Sequence, residues 1–216
     1  MRQALPAAIQ NSELFVLYQP QMCVRDRRLV AVEALLRWER PGIGLVPPAD
    51  FVPFAEDNDL IDPLGVYVLE RACRDARSWR GLRVAVNVSP KQFARADLAD
   101  FICGVAQAYG LRLSDLEIEV TETADFPDRD KAIAQLALMR SRGVTVSLDD
   151  LGSGHATMEL MASLPLSRVK IARSMVQGCK TGKGAARLRA YAEAAQAMGC
   201  GVTAEAVSYT HRTLPT

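Results

Sequence analysis

The sequence predicts an α/β fold made of repeated strand and helix units, either an α/β barrel or a doubly wound sheet. Short runs rich in β-branched and apolar residues alternate along the chain with longer amphipathic stretches, which is typical of parallel βα units. Gly110, Gly143 and Gly199 stand just before three of these runs, where each would end a preceding helix. At 216 residues the chain suits one domain, slightly short of a full eight-unit barrel.

The start of the sequence predicts a short helix within residues 1–10, followed by two strands. The extended runs at 14–22 and 29–38 are separated by a short charged turn, which favours a hairpin. A loop carrying Pro47 and Pro48 follows. The regular alternation of helix and strand is therefore expected to begin after this loop.

The rest of the chain predicts five helices that alternate with five strands. Each helix has apolar residues on one side, and acidic residues such as Asp97 and Asp128 stand where two of them would begin. The predicted helices are 63–79, 98–109, 128–142, 158–163 and 185–198. The predicted strands are 84–89, 116–121, 144–150, 168–172 and 201–206.

Composition excludes several classes of function. The formal charge is only +1, so no overall field favours nucleic acid or an anionic membrane as a partner. No apolar run approaches 18 residues and the first residues lack a signal-peptide core, so a soluble, cytoplasmic chain is expected. Five cysteines without a CxxC pair suit a reducing compartment. With only two histidines, any bound metal is expected to be a hard cation held by oxygen.

Polar side chains occupy the same face near the ends of six predicted strands. Because side chains alternate along a strand, Asp149 opposes Val146 and Leu148, and the same parity holds in the other five. The six residues are Glu33, Asn87, Glu119, Asp149, Lys170 and Glu205. If the apolar faces pack on helices, four carboxylates and one lysine converge, which requires cations. The sequence therefore predicts an oxygen-only site for Mg²⁺ or Mn²⁺, with two ions sharing ligands.

Seven short motifs occur in an order and spacing that resemble the EAL domain. They are YQP at 18–20, EAL at 33–35, NVS at 87–89, EVTE at 119–122, DDLGSG at 149–154, VKI at 169–171 and AEAV at 204–207. The resemblance implies a cyclic di-GMP phosphodiesterase of bacterial second-messenger signalling that releases linear pGpG. It also implies a modified TIM (β/α)8 barrel with one antiparallel strand. The match covers residues 11–208, with the last βα unit missing, and residues 209–216 are expected to be a non-native tail.

The resemblance also implies roles for individual residues. The residues that look like metal ligands are Glu33, Asn87, Glu119, Asp149 and Asp150. Lys170 is similar to the family lysine that orients a metal-bound water, and Glu205 looks like a ligand or an anchor of that water. Glu122 resembles the glutamate that holds the loop after Asp150.

The resemblance further implies the substrate contacts and the partners. Arg37 looks like the phosphate contact, and Gln19 and Leu35 look like residues of the nucleotide groove. An upstream sensor or GGDEF domain and a homodimer are the partners that it implies. Family members usually carry acidic residues at the positions of Ala172 and Ser208, so this chain lacks two acidic groups near the expected metal site.

Two alternatives stay open at this point. One is an EAL module that has lost catalysis and binds cyclic di-GMP or a protein partner. The other is an unrelated metal-dependent barrel enzyme that acts on a small acid and uses Lys170 as a base. The intact set of metal-ligand residues argues against the first alternative, and the ordered motifs argue against the second.

Overall fold

A computed structural model describes residues 4–23, 25–121, 125–153 and 158–205. In these ranges the chain forms two compact units. The first unit contains the described residues up to 120 together with 125–146, and the second contains residue 121 and the described residues from 147 onward. Strands and helices alternate in both units, which confirms the predicted α/β class.

The described residues contain eight strands and eight α-helices. The strands are β1 Leu14–Met22, β2 Leu29–Arg40, β3 Gly44–Val46, β4 Arg83–Asn87, β5 Leu116–Thr121, β6 Thr145–Leu151, β7 Arg168–Ile171 and β8 Gly201–Ala204. The helices are α1 Ala4–Gln10, α2 Pro48–Asp57, α3 Ile61–Ala76, α4 Leu98–Ala108, α5 Arg129–Ser141, α6 Met158–Ser163, α7 Arg173–Gly178 and α8 Gly182–Ala197. None of the helices in the described ranges is long and apolar enough to cross a lipid bilayer.

The sheet of the first unit has the strand order β1, β2, β4, β5, and β3 forms a short hairpin on the end of β2. β1 runs antiparallel to β2, which confirms the predicted hairpin. β2, β4 and β5 are parallel, with Glu33 level with Ala85 and Asn87 level with Glu119. Polar residues of three neighbouring strands therefore lie at similar heights in this sheet.

The sheet of the second unit consists of β6, β7 and β8 in parallel. Lys170 of β7 lies opposite Thr203 of β8. The ladder between β6 and β7 changes register between Leu148 and Leu151. This irregularity falls on Asp149 and Asp150, so the backbone leaves regular β geometry at the two adjacent acidic residues.

Residues 48–57 correct one prediction, since they form helix α2 rather than part of a loop. Proline is tolerated at the first helical position, where its missing N–H has no partner to lose, and Pro48 occupies that position. Phe51 and Ala55, one turn apart, are fully buried, and Phe51 packs edge to face on Trp38 at 5.7 Å. Burial of this helical face, which local propensity does not reveal, outweighs the turn-forming tendency of the two prolines.

Helix α7 is a second difference, because residues 173–178 were not predicted to be helical. This helix is six residues long and begins directly after Ala172, which offers no capping side chain. A single turn and a half of helix is too short to show a clear apolar period in the sequence. Its buried residue, Met175, links it to the body of the second unit.

Candidate metal-binding clusters

The first unit brings together Glu33, Asn87 and Glu119, which we call the Glu33 cluster. Glu33 is 9% exposed and Glu119 is fully buried, and their carboxylate oxygens approach within 4.8 Å of each other. The side-chain amide of Asn87 donates a hydrogen bond to Glu33 Oε1 at 3.1 Å. Two carboxylates that share a site out of water repel each other unless a proton or a cation lies between them. The Glu33 cluster is thus suited to a cation.

The second unit brings together Asp149, Asp150, Lys170 and Glu205, which we call the Lys170 cluster. Lys170 is only 2% exposed, and its Nζ lies 3.1 Å from Asp149 Oδ1 and 3.6 Å from Glu205 Oε1. The carboxylates of Asp149, Asp150 and Glu205 offer oxygens that all lie within 4.8 Å of one another. Three carboxylates therefore surround a site at which Lys170 supplies one positive charge.

The backbone of β6 explains how two adjacent acidic residues serve one cluster. In a regular strand, neighbouring side chains point to opposite faces. Asp150 instead has a φ of 57°, in the left-handed region, and its backbone N–H donates to Asp149 Oδ1 at 2.9 Å. Aspartate tolerates this region better than most residues because its short polar side chain bonds locally. The irregular strand end thus turns both carboxylates toward Glu205.

The ligand atoms of both clusters fit a hard divalent cation. All are carboxylate or amide oxygens, and no cysteine or histidine belongs to either described group. Mg²⁺ and Mn²⁺ prefer such ligands, whereas zinc and copper prefer nitrogen and sulfur. The clustered acidic residues can therefore bind a metal ion, as the sequence predicted for this set.

The residues expected to contact substrate share a surface with the Glu33 cluster. Gln19 of β1 lies directly opposite Glu33 of β2, and Leu17 lies opposite Leu35. Because paired residues of antiparallel strands project to the same face, these four side chains form one continuous surface. Leu17 is 50% exposed and was missed by sequence reasoning, although the parity of β1 combined with the hairpin register could have found it.

Arg37 lies on the same face by parity, four residues beyond Glu33. Its guanidinium group donates to the carbonyl oxygen of Leu36 at 2.9 Å. Among the described residues it makes no ion pair with a carboxylate, so it does not neutralise Glu33. A half-buried guanidinium without a carboxylate partner in the described ranges is suited to an anion.

Glu122, Ser208 and Ala172 are the remaining positions to which the resemblance drew attention. Glu122 and Ser208 lie outside the described residues. Ala172, where the resemblance leads one to expect an acidic residue, is 2% exposed and stands two residues after Lys170.

A support for the Glu33 cluster was not foreseen from the sequence. Ser89, two residues beyond Asn87, donates its hydroxyl to Glu56 Oε1 at 2.6 Å, and Lys91 donates to the carbonyl oxygen of Glu56 at 3.0 Å. The segment after β4 is in this way tied to the end of helix α2. The bonded residues are 33 and 35 positions apart, and no local pattern connects them.

Comparisons with known proteins give one family. The family model described as EAL domain matches residues 2–211. The chain is 38% identical over 181 residues to the cyclic di-GMP phosphodiesterase NbdA of Pseudomonas aeruginosa. This alignment covers 82% of this chain and 23% of that protein. It is 37% identical over 177 residues to the bifunctional diguanylate cyclase/cyclic di-GMP phosphodiesterase MucR of the same organism. That alignment covers 80% of this chain and 26% of that protein. The chain thus spans about a quarter of the length of these curated relatives.

A solved structure of the PaMucR phosphodiesterase in complex with c-di-GMP matches the fold with a TM-score of 0.87 at 33% sequence identity. The match covers 96% of this chain and 87% of that chain. This similarity confirms the predicted fold class, since EAL structures have a modified TIM-barrel fold. It extends over both compact units, because 96% of the chain includes most of each.

Proposed function

The chain belongs to the EAL domain family, and we propose that it hydrolyses cyclic di-GMP to linear pGpG with the help of two bound Mg²⁺ or Mn²⁺ ions. The observation that carries this proposal is the pair of oxygen-ligand clusters, in which Asn87, Glu119 and Asp150 stand at or near the carboxyl ends of their strands. The names of NbdA and MucR, which state a cyclic di-GMP phosphodiesterase, support the choice of substrate. Loops and strand ends at this end of parallel βα units are where TIM-barrel enzymes carry out their chemistry.

We assign Glu33, Asn87, Glu119, Asp149 and Asp150 as ligands of the bound ions. The close approach of carboxylate oxygens within each cluster supports this assignment, because a bound cation stabilises like charges that are held near one another. Ions bound there would lower the pKa of an attacking water and balance the charge that develops at phosphorus.

The remaining roles belong to the side chains of the protein. Lys170 Nζ, held by Asp149 and Glu205, would donate a hydrogen bond to the attacking water and fix its direction toward phosphorus. Glu205, half-buried at the end of β8, would accept a hydrogen bond from the same water. Arg37 would bind a phosphoryl oxygen through its guanidinium fork, since a planar pair of N–H donors matches a phosphate.

Specificity for the dinucleotide would come from the surface beside the Glu33 cluster. Gln19 would offer an amide to the edge of a guanine base, and Leu35 would offer an apolar contact to its face.

Glu122 would hold the loop after Asp150 in the conformation that binds metal. Residues 11–208 would make up the catalytic domain, in a cytoplasmic protein with an upstream sensor or GGDEF domain, and the domain would act as a homodimer.

The test is release of pGpG from cyclic di-GMP, followed by ion-exchange chromatography with and without Mg²⁺. We expect turnover by the unaltered chain and a loss of about a hundredfold or more in Glu33→Gln, because removing a ligand charge weakens the bound ion. Glu39→Gln is the matched control, since Glu39 is an exposed residue of the same strand. It should retain full activity.

The outcomes separate the competing functions. Binding of cyclic di-GMP without release of pGpG at any metal concentration would support the module that has lost catalysis. Absence of both binding and turnover in a folded chain would contradict the proposal and favour a different barrel enzyme. Circular dichroism of each variant shows whether the fold is retained.

A further inference from the structure

We propose that the first unit carries a second ligand site, a cleft that binds a phosphorylated nucleotide at the amino-terminal ends of β4 and β5. The cleft has a volume of about 310 Å³. It lies between the segment that follows helix α3 and the segment that connects α4 to β5. Its lining includes Arg77, Trp79, Arg80, Arg112 and the acidic Asp115. The inference does not depend on the proposed phosphodiesterase activity.

The position of this arginine cleft separates it from the Glu33 cluster. Its residues precede Arg83, where β4 begins, and Leu116, where β5 begins. Asn87 and Glu119 stand near the other ends of the same two parallel strands. In barrels of this class the amino-terminal end does not carry the chemistry, so a ligand bound there would be a second ligand rather than the substrate.

The cleft holds more positive charge than its acidic neighbours offset. Arg77 and Arg80 are exposed, and neither pairs with a carboxylate in the part of the chain that the structure describes. Arg112 is held by two contacts with Asp115, Nε to Oδ2 at 2.7 Å and Nη2 to Oδ1 at 3.1 Å. Two guanidinium groups available beside a third that is fixed in place form a natural receptor for phosphate oxygens.

The other arginines near the cleft are already held by partners within the protein. Arg83 is engaged by the fully buried Glu117 at 3.2 Å, and Arg71 by Asp75 at 2.8 Å. Arg74 lies over the ring of Tyr109 at 5.6 Å. Each of these arginines has a structural partner, whereas Arg77 and Arg80 make no ion pair with a carboxylate among the described residues. Asp115, the acidic residue of the cleft lining, is bonded to Arg112. An anion bound in the cleft would contact both positive charges at once.

Trp79 suits the base of a nucleotide. The indole is half-buried beside the arginines, and it packs against Tyr18 with ring centroids 4.9 Å apart and planes at 90°. This contact fixes the ring while leaving part of its surface accessible. Aromatic rings next to cationic groups bind nucleotides through base stacking together with phosphate contacts. The concave form and the small volume favour a ligand of this size over the surface of another protein.

The experiment measures binding of GTP, ATP and inorganic triphosphate to the whole 216-residue chain by calorimetry in the presence of EDTA. EDTA withholds the divalent ions that the two carboxylate clusters need, so binding is read independently of any hydrolysis. Trp79 gives a second signal. The chain has two tryptophans, and the other one, Trp38, is fully buried, so a nucleotide in the cleft should change the emission of Trp79.

We expect saturable binding of a nucleoside triphosphate that weakens by about tenfold or more in Arg77→Ala/Arg80→Ala, because charge-assisted hydrogen bonds to phosphate are lost. Binding should also weaken as salt is added. Arg189→Ala is the matched control, an exposed arginine of α8 in the second unit, and it should bind like the unaltered chain.

Three results would overturn the proposal. One is the absence of saturable nucleotide binding, and another is binding that the double substitution leaves unchanged. The third is binding of a polyglutamate peptide, lost in the double variant, with no binding of nucleotides, which would assign the cleft to an acidic protein segment. Binding of inorganic triphosphate as tightly as of the nucleotides would contradict the role given to Trp79.

Discussion

At the scale of single residues, Lys170 decides the charge of its cluster. It is 2% exposed and lies within ion-pair distance of Asp149 and Glu205. A buried ammonium is stable only when paired, and here its partners are the same oxygens that are available to a metal ion. In the proposed function, the lysine and a divalent cation would therefore compete for negative charge, and the lysine would limit how tightly the cation binds.

Lys170→Met tests this competition. The substitution keeps an unbranched side chain, one atom shorter, and removes the charge, so Mn²⁺ should bind on the order of tenfold more tightly. Phosphodiesterase activity should fall by about a hundredfold, because the group that orients the water is lost. Isothermal titration with Mn²⁺ measures the affinity.

Lys183→Met, an exposed lysine of α8, is the control and should leave both quantities unchanged. Weaker Mn²⁺ binding in a folded Lys170→Met protein would show that the lysine supports the ion rather than competing with it.

The five cysteines differ in burial, and this predicts their reactivity. Cys73, Cys103 and Cys200 are buried, whereas Cys23 and Cys179 are partly exposed. Burial raises the pKa of the Cys73 thiol to about 12, so almost no reactive thiolate forms at pH 8. We expect a chromogenic disulfide reagent to modify Cys23 and Cys179 in the native protein and all five in urea. Rapid modification of Cys73 in the native protein would contradict the described packing of helix α3.

At the scale of elements, the irregular end of β6 sets the position of two carboxylates of the Lys170 cluster. A change of register between Leu148 and Leu151 coincides with the left-handed backbone of Asp150. Bulges of this kind often stand next to active sites, where they redirect a side chain. Asp150 thus has two separable roles, one in its backbone conformation and one in its charge.

Two substitutions at Asp150 separate these roles. Asn tolerates the left-handed region and lacks the charge, so Asp150→Asn should retain stability and bind Mn²⁺ less tightly. Asp150→Ala should also lose about 1 kcal/mol of unfolding free energy, because alanine does not favour a φ near 57°. Urea unfolding and Mn²⁺ titration measure the two effects. If the two variants were equally stable, the left-handed backbone at residue 150 would not be strained by an alanine side chain.

At the scale of the whole molecule, buried neutral groups make stability depend on alkaline pH. The pKa of Cys73 is raised from 9.0 to about 12 by burial, and the pKa of Tyr18 is raised by burial and by its hydrogen bond to Asp75. Both groups are neutral in the folded chain at pH values where the unfolded chain is ionised. Their contribution to stability is complete below pH 9 and is lost as the pH rises toward the folded-state pKa values.

We therefore expect the free energy of unfolding to fall between pH 9 and pH 12. Cys73 alone would contribute a slope of up to about 1.4 kcal/mol per pH unit. Urea unfolding under reducing conditions at several pH values measures the slope, which should become shallower in Cys73→Ala. Cys23→Ala, at a partly exposed position, is the control. A slope unaffected by Cys73→Ala would assign the alkaline loss to other groups.

Sequence reasoning located most elements because their signals are local. The limits of β1 and β5 agree with the runs that predicted them, and Asp128 caps helix α5 as expected. Helix α2 was missed because its stability comes from burying Phe51 and Ala55 against other elements. Burial did not follow strand parity everywhere, since Leu116–Val120 of β5 is buried on both faces.

The sequence by itself determined two things, the polar side chains available near the strand ends and the ordered motifs that identify the family. Both depend only on short local patterns of residues. Only the tertiary structure decided which of these side chains meet. Asn87 bonds to Glu33 across 54 positions, and Lys170 pairs with Glu205 through the register of two strands that helices α7 and α8 separate in the chain. The turning of Asp150 toward Asp149 and Glu205 also required the tertiary structure, because strand parity alone places adjacent residues on opposite faces. Contacts of this kind depend on long-range pairing and on a break in regular geometry, and neither has a local period that the sequence can display.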